Sequence, residues 1–257
     1  MPSPIRMSEN DNLDRIFESW KFDPTALMVR KAYGDDGRGV LQMRIDLGVM
    51  QLETTGRPDG SKPNGFETVY ENLFNESLER GEDFEMDEDR CFEVDREFVQ
   101  FYHRRICWLQ LKEYSNAVRD ADHTLKLMDF CRTHSPDEQW TATHEQYRPF
   151  VMFHRIQAAA LAKIDEDNGA ESAIEEINKG LDQLKIIFEE YASDEESFEE
   201  EELVQRLTEL REELRSKYRV GKTLAEKLDD AIAGEQYELA AQLRDELDRK
   251  RARPHDI

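Results

Sequence analysis

No stretch of this chain comes near the run of about 18 apolar residues that a membrane span requires, so a membrane is not among its expected partners. The first residues, Met1 to Asp11, lack the apolar centre of a secretory signal. Cysteine is scarce: three residues, an odd number, in a chain with no expected signal. Reduced thiols and a cytoplasmic location are therefore expected. Positive charge is in deficit as well. Thirty-five Lys and Arg face 58 Asp and Glu, a formal net charge of -23. Such a surface repels phosphate backbones, which argues against direct contact with nucleic acid.

The usual signatures of catalysis are missing too. There is no Gly-x-Ser-x-Gly, no glycine-rich dinucleotide fingerprint and no paired catalytic carboxylates. Gly221-Lys222-Thr223 resembles the end of a phosphate loop. That loop needs a glycine five positions earlier, where Ser216 stands, and a preceding strand, where the chain is charged and helical. The chain is not expected to be an enzyme, and no cofactor is expected. Two pairs have metal-ligand spacing, His103-x-x-x-Cys107 and Cys131-x-x-His134. Cys107 lies beside Trp108 on an apolar helix, and unpaired cysteine is commonly buried, so core packing competes with zinc. Asp120 and His123 have carboxylate-x-x-His spacing, without the further Glu-x-x-His pairs of a di-iron bundle. Arg44, Asp46, Arg57 and Asp59 form the best remaining polar cluster, read here as internal ion pairing rather than a small site.

What is present is mainly helical. Residues 1–23 read as a leader and a short helix, in which Leu13, Ile16 and Phe17 share a face. Residues 24–90 form a small α+β element. There Leu41, Met43, Ile45, Leu47 and Val49 alternate with polar residues and glycine, the period of a strand or hairpin, and Gly48 marks a weak point or bulge. Gly56-Arg-Pro-Asp-Gly60 supplies a turn, and Thr68 to Leu78 a helix. Glu79 to Asp89 carries seven acids and one arginine and is expected to be a solvated loop.

Residues 91–191 read as a helical-hairpin core. Trp108, Leu111, Tyr114, Ala117, Val118, Ala121, Thr124 and Leu125 resemble a tetratricopeptide-like helix pair, with small residues on the second helix allowing close packing. Ala173, Ile174, Ile177, Gly180 and Leu181 repeat the second-helix pattern 56 residues on (117 to 173), beyond an insertion at Phe130–Pro149. A plain helical bundle fits the same pattern. Glu189 to Glu202 holds nine acids and no base. Residues 192–220 are read as an acidic tether and a linker helix with a seam of Leu203, Leu207, Leu210 and Leu214. Charge repulsion is expected to make the tether a hinge on which everything after it swings.

Residues 221–257 are the most informative. Leu224, Leu228 and Ile232 make one apolar stripe, Ala233-Gly234 a stop, and Ala240, Leu243 and Leu247 a second stripe. Two helices this short need another surface to cover them. Between Lys222 and Arg251, six bases (Lys222, Lys227, Arg244, Arg249, Lys250, Arg251) face eight acids (Glu226, Asp229, Asp230, Glu235, Glu238, Asp245, Glu246, Asp248), so the hairpin is no basic island.

The run Tyr237-Glu-Leu-Ala-Ala-Gln-Leu-Arg-Asp-Glu246, with Leu224, Leu228 and Ala231 upstream, resembles the UVR (UvrB/UvrC) motif, a helical hairpin with an aromatic-Glu-x-Ala-Ala-x-Leu-Arg-Asp core. In excision-nuclease subunits that motif binds a partner's copy, and it recurs in bacterial stress regulators and protease adaptors. The resemblance implies contact with another protein, possible homodimerisation included. The expected contact residues are Leu224, Leu228, Ile232, Tyr237, Ala240, Ala241, Leu243, Arg244, Asp245 and Leu247. The expectation is a non-catalytic adaptor with a mainly α fold: a helical-hairpin, tetratricopeptide-like core, a small N-terminal β element and a terminal UVR-like hairpin. An accessory factor of excision repair or of a stress-response protease or kinase system is the alternative. A small metal protein or enzyme comes third.

Overall fold

A computed structural model describes residues 13–164, 169–191 and 198–252. The chain separates into two units, Met1–Glu145 and Gln146–Ile257. The boundary falls inside the 91–191 stretch, so its two helix pairs belong to different units.

In the first unit, helix α1 (Asp14–Ser19) precedes three strands, β1 (Met28–Tyr33), β2 (Gly39–Ile45) and β3 (Gly48–Glu53). They form an antiparallel sheet in the order β1-β2-β3. The alternating run 41–49 is therefore not one strand. It reverses at Asp46-Leu47, with Ile45 opposite Gly48, and Gly48 opens β3 rather than marking a bulge. Leu47, counted with the apolar face, is 90% exposed at that turn. Arg44 explains why the turn holds. Its guanidinium donates to the carbonyls of Ile45, Asp46 (3.1 Å) and Gly48 (2.8 Å), and to Trp20 O at 3.0 Å. The same group lies 4.4 Å from the Phe17 ring. Strand β2 is buried on both faces, Val40 on one and Leu41 and Met43 on the other.

Helices α2 (Val69–Arg80), α3 (Glu88–Gln110), α4 (Tyr114–His134) and α5 (Glu138–Glu145) complete the unit. Thr68 Oγ1 accepts from Glu71 N–H to start α2, and Asp87 Oδ1 accepts from Arg90 N–H to start α3. The acid-rich stretch 79–89 is not a free loop. Phe84 and Met86 are buried within it, Met86 N–H donates to His134 O, and Glu88 and Asp89 occupy the first turn of α3, where the helix dipole favours them.

Helices α3 and α4 pack as a pair across the Leu111–Glu113 turn. Ala117, Ala121 and Thr124 are buried, while Val118 and Leu125 are only partly so. Trp108 Nε1 donates to Asp120 Oδ2 at 3.1 Å. Asp120 also takes two hydrogen bonds from Arg104, at 2.7 and 2.9 Å. Arg104 reaches on to the carbonyls of Glu53 and Gly56, tying the helix pair to the end of the sheet.

The second unit consists of α6 (Arg148–Lys163), α7 (Gly169–Tyr191), α8 (Glu202–Tyr218), α9 (Leu224–Ala233) and α10 (Tyr237–Ala252). Helices α6 and α7 pack against each other, with Gly180 facing Ile156, and Ala160, Ala173 and Ile177 are buried on them as well. Helix α8 lies against both. Asn178 pairs with Arg211 and Phe188 with Phe198, so α7 and α8 run antiparallel. This corrects the swinging arm. Val204, Leu207 and Leu214 are buried against the unit, and an amphipathic helix stabilised by such burial is not a free lever. Residues 192–197, the centre of the expected tether, lie outside the described residues, as does the leader 1–12.

Candidate protein-interaction site

The terminal hairpin α9–α10 is built from its own signals. Thr223 caps α9: its hydroxyl accepts from Glu226 N–H at 3.2 Å, and Glu226 Oε2 accepts from Thr223 N–H at 2.7 Å. This is what Gly221-Lys222-Thr223 does, and it leaves nothing of a phosphate loop. The stop falls at Ala233-Gly234 as expected, but the left-handed residue is the one after it. Gly234 has φ -85°, and Glu235 takes the left-handed conformation at φ 56°. Gln236 N–H then closes on Ala231 O at 2.8 Å.

Two helices of this length do close a small core. Ala231, Ala240 and Leu243 are buried, with Leu224 and Leu228 packed against them. Ala240 permits the close approach, whereas Ala241 faces solvent. Ile232 is not part of the first stripe. Ala231 lies about 20° from Leu224 around the helix, but Ile232 lies about 80° away, and it is 54% exposed. Tyr237 is 71% and Leu239 43% exposed. These three residues flank the turn and leave apolar surface in water after the hairpin has closed. Leu239 was missed because it lies off the Ala240–Leu243–Leu247 spacing. Its only sequence signal is that it is a leucine. Arg244 and Asp245 are exposed and pair with each other at 3.7 Å.

The base of the hairpin is docked by polar contacts that periodicity cannot show. Glu226 accepts from Asn178 Nδ2 on α7 at 3.2 Å and from Arg215 on α8 at 2.6 Å. Arg215 also donates to Gly221 O at 2.6 Å. Burial alone would raise the Glu226 carboxyl. The Thr223 N–H, Asn178 and the Arg215 charge outweigh it, and the net effect holds the carboxyl below its ordinary value. Leu247 lines a groove between the hairpin and α7.

Residues 221–253 match the family model of the UvrB/uvrC motif. The UVR hairpin thus covers both helices, the capping box and the turn. Comparison with curated proteins and with solved structures finds no match.

The other candidates resolve into structure. Arg57 is buried beside Glu93 at 2.7 Å, Asp59 at 3.5 Å and Glu97 at 3.8 Å. Ion pairing therefore holds for Arg57 and Asp59, whereas Arg44 donates to the backbone carbonyl of Asp46 and leaves that exposed residue's carboxylate aside. Cys107 and Cys131 are buried. Burial pushes the Cys107 thiol up to about 12 and raises that of Cys131 as well. His134 stacks on Phe130 at 4.1 Å, and burial holds His103 below its ordinary value. Asp120 serves Arg104 and Trp108, while His123 meets Glu97 Oε1 at 2.9 Å. Among the described residues, no group of three or more His, Cys, Asp or Glu is placed for a metal ion. Among the same residues, no helix is long and apolar enough to cross a membrane.

Proposed function

We propose that this chain is a non-catalytic adaptor that engages another protein through the tip of its UVR hairpin. One observation carries the reading: Ile232, Tyr237 and Leu239 remain exposed on a hairpin whose own core is already closed. Exposed aromatic and aliphatic side chains grouped at one end of a rigid element are what binding hot spots are made of. The partner is a protein, and a second UVR hairpin, on another protein or another copy of this chain, would present matching apolar surface. The net charge of -23 disfavours nucleic acid as the direct ligand. The helix pairs α3–α4 and α6–α7 support a scaffold role for the rest of the chain, in keeping with the tetratricopeptide-like resemblance. Three free thiols support a reducing, cytoplasmic setting.

The test is capture of partners by the full chain against a chain ending at Val220. Proteins held by the first and lost from the second identify the hairpin's partners and the pathway, whether repair, proteolysis or stress signalling. Equal capture by both chains would remove the hairpin from the account.

A further inference from the structure

A second surface lies away from the hairpin tip. Between α7, α8 and the hairpin runs a groove of ≈ 740 Å³, within the range of about 300–1,000 Å³ typical of binding clefts. Its apolar lining comes from three helices: Leu181 on α7, Ala225 and Leu228 on α9, and Leu247 on α10.

The charges around it are unequal in a specific way. Among the bases, Arg211 is taken up by Asn178 at 3.0 Å and Glu212 at 2.9 Å. Arg244 pairs with Asp245 at 3.7 Å. Among the acids, Glu226 is committed to Arg215 and its own cap. Asp182, Asp229 and Asp248 also line the groove, all exposed, and each lacks an ion pair with any described residue. Lys179 is the one lining base with no ion-pair partner among the described residues. Carboxylates of one sign along an apolar cleft focus a negative potential into it.

We infer that this groove docks a basic amphipathic helix of a partner protein, its apolar face on Leu181, Leu228 and Leu247 and its lysines or arginines against Asp182, Asp229 and Asp248. An apolar groove with charged rims is the geometry of helix-in-groove recognition, and charge complementarity selects the basic helix over an acidic one. The groove lies outside the tip used in the adaptor reading, so the two surfaces stand or fall separately.

The experiment titrates the full-length protein into a fluorescein-labelled 16-residue peptide with leucine at helical i, i+3, i+4, i+7 spacing and lysine elsewhere, read by anisotropy at physiological salt. Three companions are run. One peptide replaces leucine by serine, and another replaces lysine by glutamate. The third is the parent peptide against protein variants. The triple variant Asp182→Asn, Asp229→Asn, Asp248→Asn should weaken binding of the lysine-leucine peptide at least tenfold. A control triple, Glu209→Gln, Glu213→Gln, Glu246→Gln, removes equal charge elsewhere and should change it less than twofold. The serine and glutamate peptides should bind at least tenfold more weakly than the parent. Circular dichroism checks that both triples stay folded, and every position changed is exposed. The tip variant Ile232→Ser, Tyr237→Ser, Leu239→Ser should bind the peptide as the wild type does. The proposal is overturned by no binding, by equal losses in both triples, by equal binding of the serine peptide, or by loss in the tip variant.

Discussion

Ile156 fills the space where Gly180 would carry a side chain. A Cβ on Gly180 would lie 2.4 Å from Ile156 Cγ1 and 2.6 Å from both Cδ1 and Cγ2. This contact sets the distance between α6 and α7, and with it the base on which the UVR hairpin is docked. Alanine in place of a helical glycine ordinarily gains about 1 kcal/mol. Here overpacking against a fully buried isoleucine costs about 1–3 kcal/mol. Gly180→Ala is therefore expected to destabilise the protein in chemical denaturation, and the same change in an Ile156→Ala background to stabilise it. A stabilising Gly180→Ala on its own would show that the helices can separate freely.

The Arg104–Asp120–Trp108 network makes a second stability prediction. Arg104 and Asp120 are both buried, and Asp120→Ala leaves the guanidinium without its counter-charge. Breaking such a pair costs about 3–5 kcal/mol. Trp108→Phe keeps most of the ring and loses one hydrogen bond, about 1 kcal/mol. Trp108→Ala opens a cavity and should cost about 3–5 kcal/mol. Denaturation midpoints should therefore rank Trp108→Phe well above the other two.

Glu226 gives the hairpin a pH dependence. Its folded carboxyl is held below the ordinary value, so it stabilises docking fully above the unfolded value of about 4.3. That stabilisation is lost as pH falls through the lower, folded value. NMR shifts of α9 amides should therefore report loosening of the hairpin in acid, below about pH 4.3. Glu226→Gln should remove this transition while leaving those of other carboxylates. An identical acid profile in Glu226→Gln would show that the Asn178–Glu226–Arg215 contacts do not hold the hairpin.

Packing of α8 against α6 and α7 can be tested by cutting the chain. A protease site inserted between Tyr191 and Phe198 severs the link without touching α8. The two pieces should co-elute in size exclusion, held by Val204, Leu207 and Leu214. Separation of the pieces would restore the swinging arm.

These cases show what periodicity can and cannot reveal. Most helices and the two apolar stripes, with Leu224 and Leu228 on one and Ala240 and Leu243 on the other, are legible because each is a local pattern of spacing; the caps at Thr68 and Asp87 appear only in the structure. A hairpin is one reading of 41–49, but the place of the β2–β3 reversal was not legible. Asp46-Leu47 carries no glycine or proline, and the turn is held by Arg44 through carbonyls that no side-chain pattern records. Nor was the docking of the hairpin, because Asn178 and Arg215 reach Glu226 from 48 and 11 residues away. The free swing of the following helix does not hold because repulsion among the tether's acids says nothing of the burial open to Val204, Leu207 and Leu214. Within the site, spacing alone does not separate buried stripe residues from exposed ones. The structure divides them into a closed core and an exposed tip.

That division is the central claim, and one comparison tests it most directly. Partner capture and hairpin stability are measured together for Leu243→Asp and for the tip variant Ile232→Ser, Tyr237→Ser, Leu239→Ser. Leu243→Asp places a charge in the hairpin core and should unfold it, so capture and hairpin melting are lost together. The tip variant should keep the wild-type hairpin melting transition and yet lose capture at least tenfold. Undiminished capture by the tip variant, with loss only when the core is broken, would contradict the account.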